Sequence, residues 1–183
     1  EKIPPFFFSS PAVGDIDNDG DKEIVISTRF KEGKIYAFHH DGSLVKGWPI
    51  NTGPLSKHII WKYHSSSSPV LVDVDSDNDL EIFIGSPSTN YKFYGLDHNG
   101  KNLPGWPKQF KLPYEKEFGW DKMIRGTPAV ADYDNDGDYE IFIQDTDGAT
   151  YAWHHDGKLV KDFPTEFYEY DEALSSVLLG DLD

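Results

Sequence analysis

Three short stretches of this chain place an acidic residue at every second position, a spacing that could bind a metal ion. The first reads "DIDNDGDKEIVI" at residues 15–26, where the carboxylates end at Glu23 and an apolar run follows. Side chains at alternate positions of a tight loop converge on one point, and five oxygen donors without sulfur or imidazole favour calcium over zinc or copper. We therefore predict up to three complete Ca²⁺ sites, with these ligands: Asp15, Asp17, Asp19, Asp21 and Glu23; Asp73, Asp75, Asp77, Asp79 and Glu81; and Asp132, Asp134, Asp136, Asp138 and Glu140.

Position six of each loop is glycine or asparagine, which tolerates the positive φ that closes a tight loop. Position seven is expected to contribute its backbone carbonyl. An EF-hand loop begins in the same way but needs a bidentate glutamate at position twelve. Isoleucine stands there in every loop, at Ile26, Ile84 and Ile143, so these loops are not EF-hands.

A solvated acidic turn is the simpler interpretation of one such loop taken alone. Five carboxylates within a few ångströms repel one another, however, and each close pair costs about 1–4 kcal/mol near a surface. Three copies at identical spacing therefore favour a bound cation. Because catalytic groups are usually unique in a chain, the repetition favours a structural role in which the ion fastens two strands together.

The acidic loops belong to an internal repeat. The first block reads "SSPAVGDIDNDGDKEIVI", "SSPVLVDVDSDNDLEIFI", "GTPAVADYDNDGDYEIFI" and then "SSVLLGDLD". A second block follows as "KIYAFHHDGSLVKGWPI", "KFYGLDHNGKNLPGWPKQF" and "ATYAWHHDGKLVKDFPTEF". We predict one region over 1–183 with three full repeats at about 9–66, 67–125 and 126–174, and the first strand of a fourth at 175–183.

Each repeat contains four short extended runs, represented by "SPAVGDI", "EIVIST", "IYAFHH" and "LVKGWPI". The second run suits a strand buried on both faces, and "DG" or "NG" between the last two predicts a hairpin. Four antiparallel strands per repeat predict an all-β fold made of β-propeller blades. A β-sandwich and a linear solenoid of sheets are the alternatives.

Composition and charge exclude several classes of protein. The net charge of −15 is concentrated in the loops, and without a basic stripe we expect no nucleic-acid partner. No run of 18 apolar residues is present, so we expect no membrane insertion. The absence of cysteine rules out disulfides and thiolate zinc sites. A start at Glu1 rather than Met suggests a processed or excised piece.

The connections between repeats differ from one another and are rich in aromatic and charged residues. Such loops on a rigid scaffold often carry binding, and aromatics beside Arg and His suit sugar rings or a protein partner. The candidate ligand-binding residues are Trp61, Tyr63, His64, Tyr114, Trp120, Arg125, Tyr168 and Tyr170. By contrast, the repeated histidines, His39, His40, His98, His154 and His155, are interpreted as turn and edge residues. Trp48, Trp106 and Phe163 are expected to pack between blades.

The acidic loops and the "GWP" segments resemble the FG-GAP repeats of integrin α-chain propellers and their microbial relatives, the VCBS repeats. In that family the D-x-D-x-D-G loop joins the first two strands of a blade and binds calcium. This chain departs from the pattern by a glutamate at position nine, by Asn78 in place of glycine, and by weak "FG" and "GAP" signatures. The resemblance implies a secreted or surface-displayed, calcium-stabilised propeller.

The expected function is a non-catalytic extracellular scaffold for adhesion or recognition of a carbohydrate or a surface protein. The alternative is the propeller part of a secreted polysaccharide-degrading enzyme, such as a rhamnogalacturonan lyase, since those enzymes also use calcium-loop propellers. Three and a half blades cannot close a ring, so the expected partners are the remaining blades or a second copy of the chain.

Overall fold

The computed structural model describes residues 9–28, 33–53, 67–86, 91–110, 124, 126–146, 148–165 and 176–180. Within these ranges every regular element is a β-strand, as the sequence predicts. In chain order the strands are β1 Ala12–Gly14, β2 Glu23–Thr28, β3 Lys34–Phe38, β4 Ile50–Asn51, β5 Val70–Val72, β6 Glu81–Gly85, β7 Lys92–Leu96, β8 Lys108–Gln109, β9 Ala129–Ala131, β10 Glu140–Gln144 and β11 Thr150–His154.

The strands form three antiparallel sheets in which sequence neighbours are hydrogen-bonded. Sheet 1 has the order β1-β2-β3-β4, sheet 2 has β5-β6-β7-β8, and sheet 3 has β9-β10-β11. In sheet 3 an isolated bridge between Thr150 and Thr165 stands where the fourth strand pairs in the other two sheets. Each sheet is therefore a simple meander of the kind that forms a propeller blade.

The fourth predicted strand is only partly correct. "DG" and "NG" do close hairpins after β3, β7 and β11, but the run "LVKGWPI" is not a continuous strand. Its centre is a turn, because Gly47 has a φ of 95° and proline has no N–H for a ladder. Only Ile50–Asn51 pairs beyond that turn. We call the three-residue segments 47–49, 105–107 and 162–164 the outer turns of sheets 1, 2 and 3.

The core consists of apolar layers between successive sheets. In β6, Ile82 and Ile84 pack on sheet 1, whereas Phe83 packs on sheet 3 together with Trp106 and Ile141. This alternation explains why β6 is buried along its whole length, as predicted. The prediction of a strand covered on both faces is wrong for β2, where Ile24 is 38% exposed. A third layer lies between sheet 3 and residues 176–180.

The sheets hold each acidic loop at both of its ends. Gly14 pairs with Glu23, Val72 with Glu81, and Ala131 with Glu140, so each loop joins the first two strands of its sheet. The loops consequently occupy equivalent places in the three sheets. Across the described ranges, no helix has the length and apolarity needed to cross a bilayer.

Candidate metal centres

The first aspartate of each loop organises the backbone around itself. In loop one, both carboxylate oxygens of Asp15 accept hydrogen bonds of 3.0 Å, from the N–H groups of Asp19 and Gly20. Asp132 does the same in loop three, at 3.1 Å from Asp136 and Gly137. These bonds fold the following residues back over the first carboxylate, so the alternating side chains are gathered on one side as the spacing predicts.

Two positions in each loop have left-handed backbone. Position six was predicted to do so and is confirmed, at φ values of 97° for Gly20, 74° for Asn78 and 96° for Gly137. Position four is also left-handed, and we did not predict it. Asn18, Ser76 and Asn135 stand there, and asparagine adopts this conformation more readily than most side chains.

The last carboxylate of each loop is buried and holds the start of the loop. Oε2 of Glu23 accepts the N–H of Ile16 at 3.1 Å, and Oε2 of Glu140 accepts that of Tyr133 at 2.7 Å. Both glutamates are 0% exposed. A buried carboxylate needs hydrogen bonds or a positive neighbour, and each of these glutamates has a histidine at its other oxygen.

Histidines of the hairpin lie against the loops, a contact that our reading of the sequence missed. His39 Nδ1 is 3.2 Å from Glu23 Oε1, and His154 Nδ1 is 2.9 Å from Glu140 Oε1. The second hairpin histidine of each sheet lies near the aspartate at position seven instead. Those distances are 3.4 Å for His40 and Asp21, 2.7 Å for His98 and Asp79, and 3.8 Å for His155 and Asp138. The register of the first hairpin strand places these groups opposite one another.

Loop two differs because Asp97 stands where sheets 1 and 3 have a histidine. Glu81 is therefore buried, at 3% exposed, without an imidazole beside it. Its Oε2 accepts the N–H of Val74 at 2.9 Å, as in the other loops. The position-one carboxylate also binds differently, since Oδ1 of Asp73 accepts the N–H of Ser76, one residue earlier than its counterparts.

Burial raises the pKa of the Glu81 carboxyl to about 7. The hydrogen bond from Val74 acts in the opposite direction, and the charges of Asp75, Asp77 and Asp73 raise the pKa further. The physical cause is that a carboxylate without water or a positive neighbour is costly to ionise. A cation in loop two would remove that cost.

The carboxylate oxygens are close enough to share an ion. One ligand atom from each residue lies within 4.8 Å of the others in the groups Asp15, Asp17 and Asp19; Asp73, Asp75 and Glu81; Asp132, Asp134 and Asp136; and Asp134, Glu140 and His154. In loop one, Oδ1 of Asp17 is shut off from water and has no hydrogen-bond partner among the described residues. An oxygen in that state fits a cation ligand, and the all-oxygen donor set of the first three groups fits calcium.

The predicted calcium ligands do not all cluster in the same way. Positions one, three and five cluster in loops one and three, whereas positions seven and nine also contact the hairpin histidines. The carbonyl role predicted for position seven stays a prediction. The eight candidate ligand-binding residues, Trp61, Tyr63, His64, Tyr114, Trp120, Arg125, Tyr168 and Tyr170, all lie outside the described residues.

Comparison with known proteins places these loops and sheets in context. Residues 15–84 match the model of the FG-GAP-like repeat family. The crystal structure of BamB from Moraxella catarrhalis, a β-propeller, resembles 76% of this chain at 18% sequence identity and a TM-score of 0.50. This chain spans about a third of that protein, 36% of its length. A comparison with curated protein sequences gives no significant match. Residues 15–84 are therefore similar to an FG-GAP-like repeat, and the chain has a β-propeller fold.

Proposed function

We propose that this propeller is a calcium-stabilised, non-catalytic scaffold that presents recognition loops outside the cell. The observation that carries the proposal is the orphaned oxygen of Asp17 within a cluster of carboxylates. A buried oxygen without a partner costs about 1–3 kcal/mol, and a calcium ion would relieve both this cost and the repulsion between carboxylates. A cluster of carboxylates occurs in all three loops, so the relief of repulsion between carboxylates would be repeated in each sheet.

The chain's own residues supply most of the rigidity of such a site. Asp15 and Asp132 hold their loops in shape through backbone hydrogen bonds, while Glu23 and Glu140 tie the start of the loop to the second strand. The carboxylates at positions one, three and five would hold the ion in loops one and three, and those at positions one, three and nine would hold it in loop two. A bound cation would then link the first strand of each sheet to the second.

The repetition of the same acidic residues in all three loops supports a structural role rather than catalysis. Each loop carboxylate has an equivalent in the other two sheets, and His39, His98 and His154 each pair with an acidic side chain of a loop. Extracellular calcium modules work with dissociation constants of about 10⁻⁴–10⁻³ M, a range that partly exposed loops of this kind suit. Adhesion to a carbohydrate or a surface protein through the unrepeated loops completes the proposal.

Titration calorimetry of the metal-free chain with CaCl₂ tests the metal part. We expect about three ions per chain, and one fewer for Asp17→Asn. The matched control is Asp41→Asn, which changes an exposed hairpin aspartate outside the loops and should bind as the wild type does. An unchanged stoichiometry for Asp17→Asn, or no binding by the wild type at millimolar calcium, would contradict the proposal.

A glycan array combined with a lyase assay tests the functional part. We expect retention on defined glycans or on a surface protein, without release of unsaturated sugar product. Release of such product at a rate dependent on the loops would instead favour a polysaccharide lyase.

A further inference from the structure

Each sheet has two apolar faces, and two sheet-to-sheet interfaces are described, between sheets 1 and 2 and between sheets 2 and 3. We define the leading face of a sheet as the one on the side of the preceding repeat. In sheets 2 and 3 the leading-face isoleucines of the second strand are fully buried, at 0% exposed: Ile82, Ile84, Ile141 and Ile143. In sheet 1 the leading face carries Val13, 59% exposed, Ile24, 38% exposed, and the half-buried Ile26. The same surface that forms an interface twice in this chain is thus uncovered once among the described residues.

The outer turn of one sheet holds the hairpin of the next. The indole N–H of Trp48 in sheet 1 donates to the backbone carbonyl of His98 in sheet 2 at 2.9 Å. Trp106 in sheet 2 donates to the carbonyl of His155 in sheet 3 at the same distance. Two independent interfaces therefore use the same directional contact.

The glycine before each tryptophan is needed for this contact. A Cβ on Gly47 would collide with the carbonyl oxygen of Asn99, and a Cβ on Gly105 with that of Asp156. Both glycines also have positive φ, at 95° and 79°. The Gly-Trp-Pro turn is therefore a specific docking site for the hairpin of the following sheet. The glycine leaves space for the hairpin backbone, and the indole N–H donates a hydrogen bond to it.

The outer turn of sheet 3 lacks both the glycine and the tryptophan of this docking site. This turn reads Asp162-Phe163-Pro164, and Asp162 keeps the left-handed backbone, with a φ of 68°, while carrying a Cβ. The phenylalanine side chain has no N–H to donate. Phe163 instead packs in the layer that includes Val177 and Leu179. A hairpin cannot dock on sheet 3 in the way that it docks on sheets 1 and 2.

The hairpin of sheet 1 contacts no outer turn among the described residues, unlike the hairpins of sheets 2 and 3. A Cβ on Gly42 would meet nothing within 4 Å, whereas a Cβ on the equivalent Gly100 would collide with Ile50 of sheet 1, and one on Gly157 with Gly105 of sheet 2. Residues 40–42 are exposed, and their counterparts at 98–100 and 155–157 are half-buried.

We propose that the leading face of sheet 1 is a docking surface for a four-stranded β-sheet that ends in a Gly-Trp-Pro turn. The indole of that turn donates to the carbonyl of His40, the counterpart of His98 and His155. Continuity with the two interfaces already present in the chain identifies this occupant. A second copy of the chain is not the partner through its sheet 3, because the Asp-Phe-Pro turn lacks both features.

The test inserts an additional copy of residues 67–125, which end in register with the next repeat, between Phe8 and Ser9 of the full chain. We expect the thermal midpoint to rise by about 5 °C or more as the leading face becomes buried. The substitution Ile24→Asp should then lower the midpoint of the extended chain clearly, although it has little effect on the 183-residue chain. The matched control carries Gly105→Asp and Trp106→Phe in the inserted copy alone, and it should show neither effect.

The proposal is overturned if Ile24→Asp lowers the thermal midpoint as much with the control insert as with the wild-type insert. It is also overturned if the substitution lowers the midpoint with neither insert. Sedimentation of the 183-residue chain gives a second reading. Concentration-dependent association that Ile24→Asp abolishes would show that a second copy occupies the surface, which contradicts the proposal. A monomer over the same concentration range supports it.

Discussion

Replacing Trp106 by phenylalanine tests how firmly successive sheets are held together. Trp106 is 7% exposed and its ring packs edge-on against Phe83, Phe93 and Trp153. The substitution removes about three buried ring atoms, or about 2 kcal/mol at about 0.8 kcal/mol per buried carbon. It also leaves the carbonyl of His155 without its indole donor, which adds about 1–3 kcal/mol. We expect a loss of about 3–5 kcal/mol in the free energy of unfolding.

Urea unfolding in saturating calcium, followed by tryptophan fluorescence and circular dichroism, measures this loss. Trp153→Phe is the matched control, because Trp153 is also 7% exposed in the same layer and makes no indole hydrogen bond to a described residue. It should cost about 2 kcal/mol from packing alone. The dependence of stability on urea should stay constant in both variants. If Trp106→Phe costs no more than Trp153→Phe, the indole-to-carbonyl bond does not stabilise the interface and the reasoning is refuted.

Three further substitutions probe single contacts by urea unfolding. Gly105→Ala should destabilise the chain by more than Gly137→Ala. Both glycines have positive φ, but of the two only Gly105 would bring a Cβ into collision with the next sheet. Equal losses of stability would rule out the close approach between Gly105 and the backbone of Asp156. In metal-free protein, the free energy of unfolding should fall as pH rises from about 4.5 to about 7, because Glu81 binds its proton more tightly in the folded chain. Glu81→Gln should flatten that part of the pH profile. An unchanged slope would argue against a buried carboxyl without a positive neighbour. His154→Asn should cost about 1–3 kcal/mol by leaving the buried Glu140 without its imidazole partner, and a neutral result would show that this pair adds nothing.

Local and repeated features of the fold are predictable from the sequence. The closing residue of each loop and the Asp-Gly or Asn-Gly hairpin depend on nearby residues, and the structure confirms them. The doubly buried second strand is confirmed in sheet 2 but not in sheet 1, where Ile24 is 38% exposed. The fourth strand was predicted from its apolar residues alone. Gly47 and Pro49 break its ladder. The close approach of Asn99 in the next sheet to Gly47 is not contained in the local pattern either.

Contacts across the hairpin were missed because residue types alone do not reveal the register. His39 and Glu23 are 16 residues apart, and they meet only because β2 and β3 pair with Ile24 opposite Phe38. Counting back from the Asp-Gly turn would have found this pair. The exposure of Ile24 could not be predicted at all, since it depends on which sheet packs beside β2 rather than on the sequence of β2.

The central claim is that calcium in the three loops holds the sheets in their folded form, and thermal unfolding with and without a chelator tests it most directly. At free calcium about 100 times the dissociation constant, each occupied loop adds about 2.7 kcal/mol. We expect the midpoint to fall by many degrees in a chelator, to recover fully with excess calcium, and to recover much less with magnesium. A melting curve that is the same in chelator and in calcium would contradict the claim.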